Sequence, residues 1–216
     1  MKLLVLNPNC TATMTAMVVA EAQRIAGDAV AVHGVTAADG PAVIATRESF
    51  AAGARAALDT LRAHSDGWAD AVLLACFGDP GLAALRACSQ VPVIGMAEAA
   101  LREAIALGRP YHIVTAGREW DAMLRDTVRL SDGAQDLLDG ISILDTTGLA
   151  VAQDRQAFVV RLQHTLDKIH DRGAPTCILG GAGFAGMLPW LAYRGALLDG
   201  IGAGVRDAMR ITRSRM

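Results

Sequence analysis

The sequence lacks any long apolar run. No uninterrupted apolar run of about eighteen residues occurs, which argues against a membrane-spanning helix. The first apolar segment, Leu3-Leu4-Val5-Leu6, is too short for a signal peptide. Net charge is nearly absent too: 20 Lys and Arg stand against 22 Asp and Glu, a balance of −2. Nothing in that balance favours a nucleic-acid or anionic-membrane partner. The five histidines include no Cys/His pair at metal-ligand spacing, so no metal site is expected. The four cysteines, Cys10, Cys76, Cys88 and Cys177, show no compact disulfide spacing. Reduced thiols in a cytoplasmic protein are the expectation.

What is present is a core. Hydrophobic residues make up 52% of 216, much of them Ala, Val and Leu, enough for one domain or two small ones. Short branched runs alternate with amphipathic stretches. Leu3 to Leu6 reads as a buried strand stopped by Asn7-Pro8-Asn9, because Pro cannot join a ladder and Asn favours turns. Thr11 or Thr13 then caps a helix running to about Gly27. Further strands are expected at 29–35, 71–75, 91–95, 111–115, 140–145, 176–179 and 196–198. Pro92 places the fourth of these near a sheet edge. Helices are expected at 48–63, 82–87, 98–107, 154–172, 187–193 and 202–216, with a loop and helix across 116–129. The alternation implies an α/β architecture of parallel sheets flanked by helices.

An internal repeat sharpens this expectation. Displaced by 105 residues, Cys76 falls on Gly181 and Gly95 falls on Gly200, each after a strand. A slightly larger offset matches Leu3–Asn7 to His112–Ala116. The chain therefore reads as two pseudo-symmetric lobes, each a parallel four-stranded sheet. Residues 1–96 with 202–216 would form one, and 97–201 the other. The cleft between two such copies is a natural place for a small-molecule site.

Ala71 to Gly81 carries the sharpest chemical signal. A buried strand ends in Cys76 and then in Phe77-Gly78-Asp79-Pro80-Gly81. In open parallel sheets ligands bind beyond the carboxyl ends of the strands, so this thiol is placed for chemistry. A free thiol titrates at about 8.5, and a helix N-terminus lowers it. Phe77-Gly78 and Ala182-Gly183 are candidate donors of backbone N–H groups to a ligand. The other residues read more simply. Cys177 lies inside a strand and Cys88 on a helix, both as buried packing residues. Cys10 is expected to cap or pack in its loop, although it lies near the site. Asp79 reads as the cap of the helix that follows it, and His112 as a satisfied histidine of the sheet. Glu98 and Glu119 begin helices, where the dipole favours carboxylates. Gly180-Gly181-Ala182-Gly183 has no Lys-Ser/Thr after it, so a phosphate loop is not supported.

Asn7-Pro8-Asn9 with Thr11 and Met14-Thr15, together with Ala75-Cys76-Phe77-Gly78-Asp79-Pro80-Gly81, resembles the aspartate/glutamate racemase superfamily, in its hydantoin and allantoin racemase branch. The resemblance covers nearly the whole chain. It implies a cofactor-independent racemase acting on a small-molecule substrate, with one cysteine per lobe on either face of the stereocentre. Cys76 carries over as the catalytic thiol. Asn7 and Thr115, with the adjoining Ala116, carry over as substrate-binding positions at the first strand end of each lobe, as do the Phe77-Gly78 and Gly181-Ala182-Gly183 loops.

The pattern breaks at the second thiol. Gly181 stands where the family has cysteine, and Cys177 lies roughly 13 Å back along an extended strand. A lone thiol also fits the arylmalonate decarboxylases, which resemble this fold, although their Thr-Ser pair has no match here. A ligand-binding homologue without catalysis is a further alternative. The apolar composition points to a homo-oligomer.

Overall fold

The computed structural model describes residues 1–64, 67–173 and 176–214. The chain runs β1 (Lys2–Asn7), α1 (Ala12–Ala26), β2 (Ala31–Thr36), α2 (Arg47–Ala63), β3 (Ala71–Leu74), α3 (Leu82–Cys88), β4 (Val93–Gly95) and α4 (Met96–Ala106). It continues through β5 (Tyr111–Ala116), α5 (Trp120–Arg129), α6 (Ala134–Leu137), β6 (Leu138–Leu144), α7 (Gly148–Gln153) and α8 (Arg155–Asp171). The chain closes with β7 (Thr176–Gly180), β8 (Ala196–Asp199) and α9 (Gly200–Arg213). Two four-stranded sheets result, ordered β2-β1-β3-β4 and β6-β5-β7-β8, and every strand pair is parallel. The duplication expected from the sequence is present as a repeated strand order. β4 lies at a sheet edge, as Pro92 requires.

Side-chain alternation along each strand builds the cores. Leu3 and Val5 of β1 and Leu73 of β3 point to one face, with Val18 of α1 and Ile201 and Val205 of α9. Leu4, Leu6, Val72 and Leu74 point to the other face, with Leu61 of α2 and Leu85 of α3. This is the period-two pattern of strands buried on both sides. In the second sheet, Tyr111, Ile113 and Ile178 join the first of these cores. Val114, Cys177 and Leu179 turn instead toward Phe158, Leu162 and Leu166 of α8. The first of these three clusters is therefore shared between the two sheets.

The shared core is built by crossed helices. α4 follows the first sheet but packs against β7, β8, α5 and α6, while α9 follows the second sheet but packs against β3, β4 and α1. The two helices also pack on each other. Their small side chains, Ala97, Ala100 and Ala104 on α4 and Ala203 and Ala208 on α9, are all buried. Phe77 completes the seam. A Cβ added to Gly180 would lie 2.6 Å from the Phe77 ring, and one added to Gly200 would lie 2.9 Å from it. The ring of the first lobe is thus seated against the end of β7 and the start of α9, where only glycine leaves room.

Some elements differ from the sequence reading. Residues 187–193 do not form a helix. Two single 3₁₀ turns, Ala182–Phe184 and Leu188–Trp190, stand in that region. Pro189 fits only a first helical turn, and Trp190 lies half-exposed against Arg155, its ring centroid 5.2 Å from the guanidinium carbon. α6 and α7 were not anticipated, both being too short to show a period. The end of the closing helix at 215–216 lies outside the described residues. Among the described residues, no helix is long and apolar enough to cross a membrane.

Phe77→Ala should lower stability by about 3–5 kcal/mol, the usual loss for deleting a buried ring. Urea unfolding checks this, and a loss under about 1 kcal/mol would show that the ring does not join the lobes.

Candidate active site

A cavity of about 70 Å³ lies at the carboxyl ends of the central strands of both sheets. Cys76 and Phe77 contribute from the first lobe; Thr115, Ala116, Gly181, Ala182 and Gly183 contribute from the second. Seven of the nine expected site positions therefore meet in one place. The remaining two, Asn7 and Gly78, do not line the cavity.

Asn7 is 2% exposed and its amide is fully used inside the protein. Its Nδ2 donates to Asn9 Oδ1 (3.0 Å) and Thr15 Oγ1 (2.9 Å), and its Oδ1 accepts from the Asn9 N–H (3.1 Å). The Asn-Pro-Asn turn is thereby locked, and Asn9 is the member that reaches the cavity. Asn9 Oδ1 also accepts from the Thr11 N–H (2.9 Å). With the oxygen so engaged, Nδ2 is left as a donor with no protein acceptor among the described residues. Gly78 sits behind the cavity at φ +119°, and a Cβ there would fall 2.6 Å from the Trp120 ring. Only glycine allows both that backbone and that contact.

Thr115 is 3% exposed and donates from Oγ1 to the Gly180 carbonyl at 2.5 Å, tying the two central strand ends of the second lobe. Backbone donors are more available. The N–H groups of Phe77 and Gly78, and of Gly181, Ala182 and Gly183, have no protein acceptor among the described residues. The second set belongs to the first turn of a 3₁₀ helix, where N–H groups lack internal partners by construction. Open N–H groups of this kind can donate to a carbonyl or to a developing enolate oxygen.

The remaining wall is apolar: Met14, Val43, Ile44, Trp120, Leu149 and Val151. Sequence reading missed these, because they come from separate loops and helices with no shared period. Thr11 helps place one of them. It stands at the N-cap position of α1, but its hydroxyl donates to the Ala42 carbonyl (2.8 Å), holding the 42–44 loop over the cavity. Among the described residues no Asp, Glu, Lys, Arg or His lines the cavity.

Cys76 is 8% exposed, and burial pushes its thiol well above the ordinary range, with the negative charge of Asp79 adding to the effect. This reverses the direction expected from a helix N-terminus. α3 begins only at Leu82, with Gly81 as its cap, too far along the chain for its dipole to offset burial. The resting thiol is protonated.

The other candidates fall away from the site. Cys177 is fully buried in the outer core, as expected. Cys88 is exposed rather than buried, because α3 buries only Leu85. Cys10 is exposed, its N–H bonded to the Pro41 carbonyl (3.1 Å), and it does not line the cavity. His112 is buried and paired to Asp139 (2.8 Å) and Ser142 (2.9 Å), a satisfied sheet histidine. No cluster of three metal-ligating side chains occurs among the described residues.

Paired lobes with a thiol at one strand end and open N–H groups at the other define the class, and the comparisons with known proteins agree. The chain belongs to the Asp/Glu/Hydantoin racemase family, whose model matches residues 3–208. It is 31% identical to a hydantoin racemase of Rhizobium meliloti over 94% of this chain and 85% of that one. It is 30% identical to a hydantoin racemase of Paenarthrobacter aurescens over 87% of this chain and 80% of that one. The crystal structure of an allantoin racemase from Pseudomonas fluorescens superposes with a TM-score of 0.92 at 26% identity, covering 100% of this chain and 92% of that one.

Iodoacetamide at pH 8 should label Cys10 and Cys88 at least about tenfold faster than Cys76 and Cys177. Peptide mass spectrometry before and after denaturation reads this order. Rapid labelling of Cys76 in the folded protein would contradict the burial described above.

Proposed function

We propose that this protein moves a proton at the acidic carbon beside a carbonyl of a small neutral cyclic ureide, hydantoin or allantoin in type, with Cys76 as the proton-transferring thiol. The observation that carries the reading is a cavity that combines this thiol with unpartnered N–H donors and no charged side chain. A free amino acid or a substituted malonate would have to bury a carboxylate there without a cation, a cost of several kcal/mol. A ureide brings C=O groups to which Asn9 Nδ2 and the open backbone amides can donate, and it carries no charge to bury. The uncharged lining thus favours racemase-type chemistry over decarboxylation.

Two half-reactions follow from the chemistry. Removing the C–H proton leaves an enolate whose oxygen takes hydrogen bonds from the Gly181–Gly183 N–H groups. Returning a proton to the same carbon uses the Cys76 S–H, which is the resting form. Abstraction needs the thiolate, so the S–H proton must first pass to solvent water, and the base is the small thiolate fraction of the resting protein. With Gly181 in place of a second thiol, proton exchange from the Cys76 face is the reaction that the protein's own side chains supply. No bound cofactor enters either step.

In D₂O, an optically pure 5-substituted hydantoin should take up deuterium at the ring carbon with its configuration largely kept. Proton NMR together with polarimetry reads this. Cys76→Ser should slow the uptake by roughly 10²–10⁴-fold, and an unchanged rate would remove Cys76 from the reaction. Absence of uptake with hydantoins and allantoin alike would refute the substrate class.

Position 181 gives a second test. Its backbone is extended (φ 160°), and a Cβ there meets Phe184 at 3.4 Å, ordinary contact distance. Gly181→Cys should therefore fold normally. It should also convert exchange with retention into exchange with loss of optical activity. A folded Gly181→Cys protein with unaltered stereochemical outcome would show that position 181 does not face the reacting carbon.

A further inference from the structure

Asp79 is a feature that the proposed chemistry does not use. It follows Cys76 by three residues and is 8% exposed. Its backbone adopts φ +57°, the positive-φ non-glycine conformation recorded among the described residues. Asp tolerates that conformation better than most side chains, but a buried one still needs a reason. The reason lies 18 residues on. The carboxylate does not cap α3, as its position suggests. It accepts the N–H groups of Ala97 (3.0 Å) and Glu98 (2.8 Å) at the start of α4.

Its neighbours are shaped around this contact. A Cβ on Gly95 would stand 2.3–2.8 Å from all three carboxylate atoms, so the residue before α4 has to be glycine. The Asp79 N–H donates back to the Cys76 carbonyl (3.1 Å), closing the turn that carries the thiol. One side chain therefore joins the Cys76 turn of the first lobe to the helix that packs on the second sheet.

We propose that Asp79 is a positioning residue for Cys76, fixing the thiol-bearing turn against α4 and coupling its own ionisation to that of the thiol. The proposal rests on Cys76 being the proton-transferring group. Burial pushes the Asp79 carboxyl up to about 7, against the pull of the two N–H bonds. As pH rises through that value, a negative charge appears beside the thiol and opposes its ionisation. The other charged groups around Asp79 are engaged in ion pairs. Arg86 of α3 and Arg102 of α4 both pair with Glu98 of α4, at 2.7 and 2.6 Å. Arg47 at the start of α2 pairs with Asp126 of α5 at 2.6 Å.

The test is the alkylation rate of Cys76 by iodoacetamide from pH 5.5 to 9.5, in the full chain carrying Cys10→Ser and Cys88→Ser. A thiol titrating alone, far below its pKa, gains about tenfold in rate per pH unit. Wild-type Asp79 should produce an inflection near pH 7, where the gain falls below tenfold before resuming. Asp79→Asn should give a straight line, and Asp79→Glu should restore the inflection. A loosened turn would shift the whole line without bending it, so the bend separates coupling from a merely structural role. A straight wild-type line, or a bend that persists in Asp79→Asn, would overturn the proposal. Should Asp79→Asn fail to fold, Asp79→Ser serves, because its hydroxyl can still accept an α4 N–H but carries no charge. The bend must then weaken, and an unaltered bend would equally overturn the proposal. None of these rates depends on the substrate, so a failed hydantoin assay leaves this test intact.

Discussion

The structure depends on the Phe77 ring crossing from one lobe into the other. Its contacts with Gly180 and Gly200 remove an aromatic side chain from water at the point where the two sheets meet. Burial of such a ring is worth roughly 1.5–3 kcal/mol from area alone. Its larger effect is geometric. Phe77 follows Cys76 directly, so seating the ring sets the thiol at the mouth of β3 and fixes the first lobe's strand ends against those of the second. The glycines at 180 and 200 are therefore part of the thiol's placement, although neither carries a side chain. The crossed packing of α4 and α9 on the opposite sheets makes the same joint rigid.

That joint has an electrostatic consequence. A thiol held among apolar atoms, with a carboxylate on its own turn, resists ionisation. Many reactive cysteines sit in electropositive, partly exposed surroundings. Cys76 does not, and the cavity offers neutral donors instead: the Asn9 amide and open backbone N–H groups. An uncharged, mostly apolar site of this kind would favour neutral ligands, and low local polarity strengthens each hydrogen bond made inside it. Selection against charge and a protonated resting thiol are two results of the same burial.

Much of this was legible in the sequence because it is written locally. The strands show as short branched runs ended by Asn-Pro or Gly, and their twofold recurrence gives the repeated strand order. Cys76 shows at a strand end by the same logic. What escaped depends on distant residues meeting. Asp79 looks like the cap of the helix beside it, and nothing in the chain announces that Gly95 has made room for its carboxylate. Asn7 and Asn9 look alike in a turn motif, and only the hydrogen-bond pattern separates the internal brace from the group that reaches the cavity. Met14, Ile44 and Val151 come from three separate segments with no common spacing. The direction of the Cys76 shift was also misread. Helix proximity can be guessed from sequence, whereas desolvation is a property of everything packed around the thiol.

Duplication of a lobe supplies symmetry of scaffold without requiring symmetry of chemistry. Each central strand end here presents a turn with open N–H groups, and the two turns have diverged in opposite senses. In the first, a thiol is backed by a buried carboxylate that bonds a helix start 18 residues away. In the second, Gly181 has no side chain, and Asp199 caps α9 from within its own strand, accepting the Gly202 N–H at 2.8 Å. The helix start of each lobe thus receives a carboxylate, but only in the first lobe does that carboxylate belong to the turn that lines the cavity. The carboxylate linkage and the thiol occur together on one side and are missing together on the other. A catalytic group at 181 would therefore enter a turn without the brace that Cys76 has. That difference favours a division of labour in which the first lobe handles the proton and the second holds the oxygen.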